Sequence, residues 1–319
     1  MDLIYTDKDH VDVGVMPPFT FDLAYGSDEN DFELAISSDD HCCEAGCLAY
    51  IEGTEYGGII DDLKVDTGNK EITYTGRTWH GILASKILEP DAGEDYLTVT
   101  GEANSVVASL VSRMELTDLF DVSAENSGLH ISSYKMNRYI DGYQGIRKML
   151  ATVSGKLLFR WHSGKVVLSV VPAKDYSDEL DSDKVDMLIR KKYSPVNHLI
   201  CLGKGELAER TVINLYADAA GNISEVQTFA GMKERTDVYD NSAAESDEDL
   251  REKGKERFRE LLAEGSVEIA LDDESDIYDI DDIVGSTEQI TGIRVTAKIV
   301  KKIISIRNNQ ISIEHKLGV

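Results

Sequence analysis

Three cysteines crowd into one short stretch, His41-Cys42-Cys43-x3-Cys47, where thiolates and an imidazole could together hold a zinc ion. Adjacent cysteines seldom ligate one ion, however, and no second Cys-x2-Cys pair follows, so the stretch reads as ordinary buried or loop thiols. Paired carboxylates are the second chemistry-bearing feature. Asp39-Asp40, Asp61-Asp62, Asp272-Asp273 and Asp281-Asp282 could each flank a glycosidic bond as acid and base. With 59 acidic residues in the chain, such pairs arise by chance and point to no particular cleft. Asp62-x-Lys64-x-Asp66-x-Gly68 imitates a calcium loop, but lysine stands at its third position and the glycine is displaced from the sixth. The acidic run from Asp272 to Asp282 offers hard oxygens to a divalent cation and otherwise reads as a solvated connection between strands. His80, beside Trp79 at a strand-to-helix junction, is the histidine best placed for acid–base work, yet no serine or cysteine nucleophile pairs with it in the sequence.

Phosphate loops, Gly-x-Ser-x-Gly elbows and His-Glu-x2-His helices are absent, and Gly53, Gly57 and Gly58 have no strand-to-helix context. The expectation is therefore a chain with no catalytic residue, no cofactor and no metal. Composition agrees with a globular protein: 319 residues, 42% hydrophobic and 29% charged, enough for sizeable cores and two or three domains. Thirty-three basic against 59 acidic residues give a net charge of -26, which repels nucleic acid over most of the surface. No run reaches the roughly 18 apolar residues of a membrane span, and the opening MDLIYTDKDHVD lacks the regions of a signal peptide. Synthesis in the cytoplasm with reduced thiols, and no insertion into a membrane, is the expectation.

Mostly β-structure must position these residues. Alternating or apolar runs between turn residues predict strands at 3–5, 19–24, 32–36, 48–52, 58–65 and 71–75, the last two joined as a hairpin by Thr67-Gly68-Asn69. Trp79, Ile82, Leu83 and Ile87 share a helical face before Pro90 stops the run. Further helices are predicted over 103–116 and 143–153, then a hairpin of 157–161 and 165–171 around His162-Ser163-Gly164. The polar stretch 176–184 marks a boundary. Beyond it come strands at 187–190, 197–203 and 210–217, a long helix over 243–263, and strands at 266–271, 282–285, 292–306 and 310–316. Ser242 and Glu245 are spaced as that helix's capping box, and Gly254 falls on its apolar face as a spacer. The fold class is mainly β with an α/β insertion (α+β). Two β-barrel-like domains, 1–90 and 181–319, flank an inserted α/β domain, 91–180, with strands from 183 to 217 as a second candidate to complete the first barrel. A strand, an Asn-containing turn and a strand around Asn69 recur around Asn308, an echo that fits two related β units.

One segment, Tyr74-x-Gly76-Arg77-Thr78-Trp79-x-Gly81-Ile82-Leu83-Ala84-x-Lys86-Ile87-x-Glu89-Pro90, resembles a stretch of the ReqiPepy gene-product-thirty-seven-like family of siphophage and prophage tail proteins. Two more hallmarks look similar: residues 195–218, containing Asn197, Gly203 and Gly205, and Tyr278-Asp279-Ile280-x-Asp282-Ile283-Val284-Gly285. The resemblance implies kinship with phage baseplate and tail hub proteins, whose trimers set two barrel domains per chain in a pseudo-sixfold ring. It departs at Asp281, where a glycine is expected in the turn before a strand. Gly76, Arg77, Trp79, Gly81, Asn197, Gly203, Gly205, Asp282 and Gly285 are thereby marked as structural, with Gly76 to Gly81 read as a packed corner within one subunit. The implied function is a non-enzymatic homotrimeric ring in the virion tail, between tail tube or distal tail proteins and tip or spike proteins, without sequence-specific nucleic-acid binding. The alternatives are a tail-associated cell-wall hydrolase or a host-envelope binding module, the latter little favoured by 7% aromatic residues.

Overall fold

Period-two alternation builds the N-terminal strands: β1 (Ile4–Thr6), β2 (Asp12–Val15), β3 (Phe19–Gly26), β4 (Asn30–Ser37), β5 (Leu48–Tyr50), β6 (Gly57–Asp66) and β7 (Glu71–Thr78). The computed structural model describes residues 2–177, 185–188, 196–244, 246–263, 268–271, 277–287, 294–307 and 310–318. Phe21, Leu23 and Tyr25 of β3 and Phe32, Leu34 and Ile36 of β4 all point into the core, and the register that opposes Phe21 to Leu34 keeps them on one face. The Asp66 carboxylate closes the β6–β7 hairpin by accepting the N–H groups of Gly68 and Asn69 at 2.9 and 3.0 Å.

The chain then turns into α1 (Trp79–Ala84), capped by the Thr78 hydroxyl on the Gly81 N–H. This helix ends three residues before Ile87, because Ile87 and Leu88 form β8 (Ile87–Leu88) against β12 (Ile140–Asp141). Between them lie β9 (Thr98–Glu102), α2 (Ala103–Arg113), β10 (Phe120–Val122) and β11 (His130–Lys135), and after them α3 (Gly142–Ala151), β13 (Gly155–His162) and β14 (Lys165–Pro172). Val106, Val107, Leu110 and Val111 of α2 and Ile146, Met149 and Leu150 of α3 pack with Phe159, Trp161, Val166 and Leu168 into one core. Trp79 joins that core by stacking on Trp161, ring centroids 5.2 Å apart. The β13–β14 turn uses Ser163 at φ +53° and Gly164 at φ +83°, the two left-handed residues a tight hairpin demands.

Next come β15 (Val185–Leu188), β16 (His198–Leu202), β17 (Val212–Ala217), β18 (Ile223–Ser224), β19 (Thr236–Asp240), α4 (Asp247–Ala263) and β20 (Glu268–Leu271), with β15 paired to β20. Residues Met187–Ile269 form a compact unit of their own, a sheet in the order β18-β17-β16-β19. Leu250, Phe258 and Leu261 of α4 bury against Leu199, Cys201, Ile213 and Leu215 on one face of that sheet. The cap is Ser246, whose hydroxyl accepts the Asp249 N–H at 3.2 Å, instead of Ser242. Asp247, Glu248 and Asp249 place negative charge on the first turn, where the helix dipole favours it, so the helix starts there; Glu245 lies outside the described residues.

The chain returns as β21 (Ile283–Thr287), β22 (Arg294–Arg307) and β23 (Gln310–Gly318). β22 pairs with β3, Ile304 opposite Leu23 and Ile306 opposite Phe21, so the C-terminal strands belong to the sheet of the N-terminal ones. Met1–Asp186 and Ala270–Val319 accordingly make the first unit, a partition that differs from the boundary drawn through 176–184 in the sequence, because strand pairing across almost the whole chain leaves no local signal. Its ten-stranded sheet runs β2-β1-β5-β6-β7-β4-β3-β22-β21, with β23 also on β22. The echoing hairpins β6–β7 and β22–β23 stand in this one sheet on either side of β4 and β3. Among the described strands neither unit's sheet closes on itself as a barrel.

Candidate functional site

The corner where β7 enters α1 is built around a bulge. Ile60 opposes Gly76 and Asp62 opposes Thr75, leaving Asp61 as the extra residue of β6. Its carboxylate receives the Arg77 side chain as a fork, Nε to Oδ2 at 2.8 Å and Nη2 to Oδ1 at 2.7 Å, and also the Arg77 backbone N–H at 3.1 Å. Gly76 faces the kinked strand so closely that a Cβ there would lie 1.9 Å from the Ile59 carbonyl oxygen, which only glycine avoids. Gly81 sits equally close to the Asn30 carbonyl, and Trp79 is fully buried.

A second polar centre forms where the returning segment 278–285 meets α3 and β13. Asp282 is fully buried and accepts three donors: Lys156 Nζ at 2.7 and 2.8 Å, the Lys174 N–H at 2.7 Å and the Asp279 N–H at 2.9 Å. Lys156, 2% exposed, also reaches Asp279 at 2.6 Å. Burial by itself would lower the Lys156 pKa, and the two aspartates reverse this and hold it raised, so the ammonium stays charged inside the protein. Beside it Arg147 forks onto Asp281, Nε to Oδ2 at 3.0 Å and Nη2 to Oδ1 at 2.9 Å. Asp281 is left-handed, at φ +73°, which is the conformation for which the family resemblance leads one to expect glycine. Gly285, buried on β21, completes the segment opposite Thr296.

Glu55 organises a third group. Its Oε1 accepts Lys302 Nζ at 2.8 Å and the Tyr25 hydroxyl at 2.5 Å, and Oε2 lies 4.0 Å from His80 Nε2. His80 is enclosed by rings, stacked on Tyr25 at 4.1 Å and tilted on Phe159 at 3.9 Å. Burial, then the nearby charges of Lys302 and Arg147, push its pKa well below the usual imidazole value, so it is neutral. Glu55 and Asp279 border a cleft of about 720 Å³ whose wall also includes Glu125, Arg160 and His162. Each of these two carboxylates is paired with a buried lysine, Glu55 with Lys302 and Asp279 with Lys156.

In the second unit Asn197 clamps two strands: its Nδ2 donates to the Lys233 carbonyl and its Oδ1 accepts the Arg235 N–H, both at 2.8 Å. Gly203 lies under Leu250 of α4, and Gly205, at φ +100°, makes the turn that lets Arg210 Nε reach the Gly203 carbonyl. Gly76, Arg77, Trp79, Gly81, Asp282 and Gly285 thus fall in the first unit and Asn197, Gly203 and Gly205 in the second. The buried Lys156, Arg147 and Lys302, and Glu55 that pairs with Lys302, were missed in the sequence. Lys302 had a signal: it shares the period-two face of Ile304 and Ile306. Glu55, in an irregular loop, had none. All four cysteines are free, and among the described residues no three His, Cys, Asp or Glu side chains are placed to hold a metal ion. Residues 272–276 of the acidic run lie outside the described residues. No described helix is long and apolar enough to cross a membrane.

No family model matches the chain, and no curated protein matches it by sequence. Solved structures do match. The prophage tail protein gp18 from Listeria monocytogenes EGD-e is 12% identical, with 99% of this chain and 94% of that one covered and a TM-score of 0.50. The 43 kDa tail protein of prophage MuSo2 from Shewanella oneidensis is 11% identical, with 100% and 98% covered and a TM-score of 0.51. At such identity the likeness is one of fold, and it extends over the whole of this chain.

Proposed function

We propose that the chain is a non-enzymatic structural subunit of a phage or prophage tail, placed in the tip or baseplate hub as a ring that joins the tail tube to the tip or spike. The observation that carries this reading is the likeness in fold, along the full chain, to two prophage tail proteins. The resemblance of the Tyr74–Pro90, 195–218 and Tyr278–Gly285 motifs to the gene-product-thirty-seven-like tail family supports the same placement. Ion pairs that tie the turn at 279–282 to α3 and β13 suit mechanical connection.

Assembly then falls to the sheet edges. β2 ends the first unit's strand path and bears Val13 and Val15 on one face, 57% and 55% exposed, with Val11, 60% exposed, just before it. β23, at the other side, pairs only with β22 among the described strands. Unsatisfied edges of this kind are protected by pairing with another chain, and pairing of unlike edges in a cycle closes a ring. A homotrimer assembled in this way would complete between copies the barrel-like closure that one chain lacks, with tail tube or distal tail proteins on one face and tip or spike proteins on the other. Antibodies against the purified chain, imaged on intact tail particles, should decorate the tail tip. Decoration spread along the shaft would contradict a hub position, and release of soluble fragments from purified cell walls would turn the reading toward a hydrolase.

A further inference from the structure

The loop between β4 and β5 brings two thiols beside a buried thioether, a chemistry that a tail role does not require. Cys42 and Cys43 bring their Sγ atoms to 3.8 Å, and Met16 Sδ, from the connection between β2 and β3, lies 3.4 Å from Cys42 Sγ. Cys43 and Met16 are buried, and Cys42 is half-buried. Tyr74 fixes the backbone beneath them. This fully buried phenol oxygen accepts the N–H groups of both Cys42 and Cys43 at 3.2 Å and pairs with His41 Nδ1 at 2.8 Å. Sulfur is a weak donor and a weak acceptor, so three sulfurs gain little from one another as hydrogen-bond partners.

Adjacent cysteines seldom share a zinc ion, which needs four ligands, but with Cys42 Sγ 3.8 Å from Cys43 Sγ and 3.4 Å from Met16 Sδ the spacing suits one cation of low coordination number. A metal–thiolate bond of about 2.3 Å spans sulfurs at this separation with a bent angle of about 110°. Zinc is excluded by its demand for four nitrogen, oxygen or thiolate ligands, since among the described residues no trio of His, Cys, Asp and Glu is arranged for a metal. Thiolate and thioether together, at low coordination number, are the ligands that select monovalent copper. We propose that Cys42, Cys43 and Met16 form a binding site for Cu(I).

The test is an anaerobic titration of the full chain against a chromophoric Cu(I) chelator, with Cu(I) itself as the probe. The parent chain should withdraw one equivalent. Cys42→Ser, at a half-buried position, should lose this, and Met16→Leu, which keeps volume and both thiols, should weaken it at least about tenfold, the lower range for disturbing even an outer-shell group. Cys201→Ser, in the other unit, should match the parent. Unchanged far-ultraviolet circular dichroism in Cys42→Ser and Met16→Leu would establish that each still folds. A parent chain that leaves all Cu(I) with the chelator overturns the proposal, as does Cys42→Ser binding like the parent. Loss in Cys42→Ser with no change in Met16→Leu overturns the three-sulfur site.

Discussion

Asp281 holds a left-handed backbone, at φ +73°, while its carboxylate takes the fork of a buried Arg147. Two effects compete if it is changed to glycine. Relief of the left-handed conformation gains about 1 kcal/mol, whereas stranding a buried guanidinium costs about 3 kcal/mol or more. Asp281→Gly should therefore lower the stability of the first unit by roughly 2 kcal/mol in urea unfolding; a gain would show that the ion pair contributes nothing. His80 gives a pH signature. Its folded pKa is depressed by burial and by Lys302 and Arg147, so the unfolded chain binds the proton as pH falls through about 6.5 while the folded chain does not. Stability from this group is unchanged above that pH and declines below it. His80→Phe, which retains a ring against Tyr25, should lose less of its urea midpoint between pH 7.5 and 5.5 than the parent does; an equal loss would contradict the account. The residues around position 281 gave no sign of its left-handed backbone; only the family resemblance, which expects a glycine in that turn, pointed to it. Its partner was not legible either, because Arg147 stands far away in the chain and nothing in a helix's own period says which of its residues meets a returning loop.

At the scale of elements, α4 lies on its sheet only because Gly254 has no side chain: a Cβ there would come within 2.6 Å of Cys201 Sγ. Gly254→Ala gains about 1 kcal/mol of helix propensity but pushes helix and sheet apart, and should be destabilising. Adding Cys201→Ala removes the obstructing sulfur and should recover stability beyond the sum of the single changes, a coupling measurable in a double-mutant cycle. Strict additivity would mean that the contact does not set the helix position. The spacer role of Gly254 was legible because a glycine on an apolar helical face has few other uses. Helices α2 and α3 and the β6–β7 and β13–β14 hairpins were legible too, since their signals are periodic and local. The pairing of β22 with β3 was not: both strands alternate, and alternation names a face without naming a neighbour. Likewise Ser242 and Ser246 both offer a cap, and the choice between them rests on where the acidic first turn and the packed face fall together.

For the whole molecule, the charge of -26 and the sheet edges left unpaired among the described strands belong to one account. A ring with an acidic bore would let DNA pass without adhering, because like charges repel along the entire path. Mapping side-chain charges on the assembled ring tests this, and a neutral or basic inner wall would contradict it. The two-unit partition, with 187–269 inserted between strands of the first unit, was hidden in the sequence because the strands that pair across the insertion lie far apart in the chain. Assembly is the central claim, and the most direct measurement is the mass of the purified chain by light scattering across concentration, with images of whatever forms. A mass of three chains and particles with a central opening are the expected result; a single-chain mass at every concentration, with no closed particles, would contradict self-assembly into a ring.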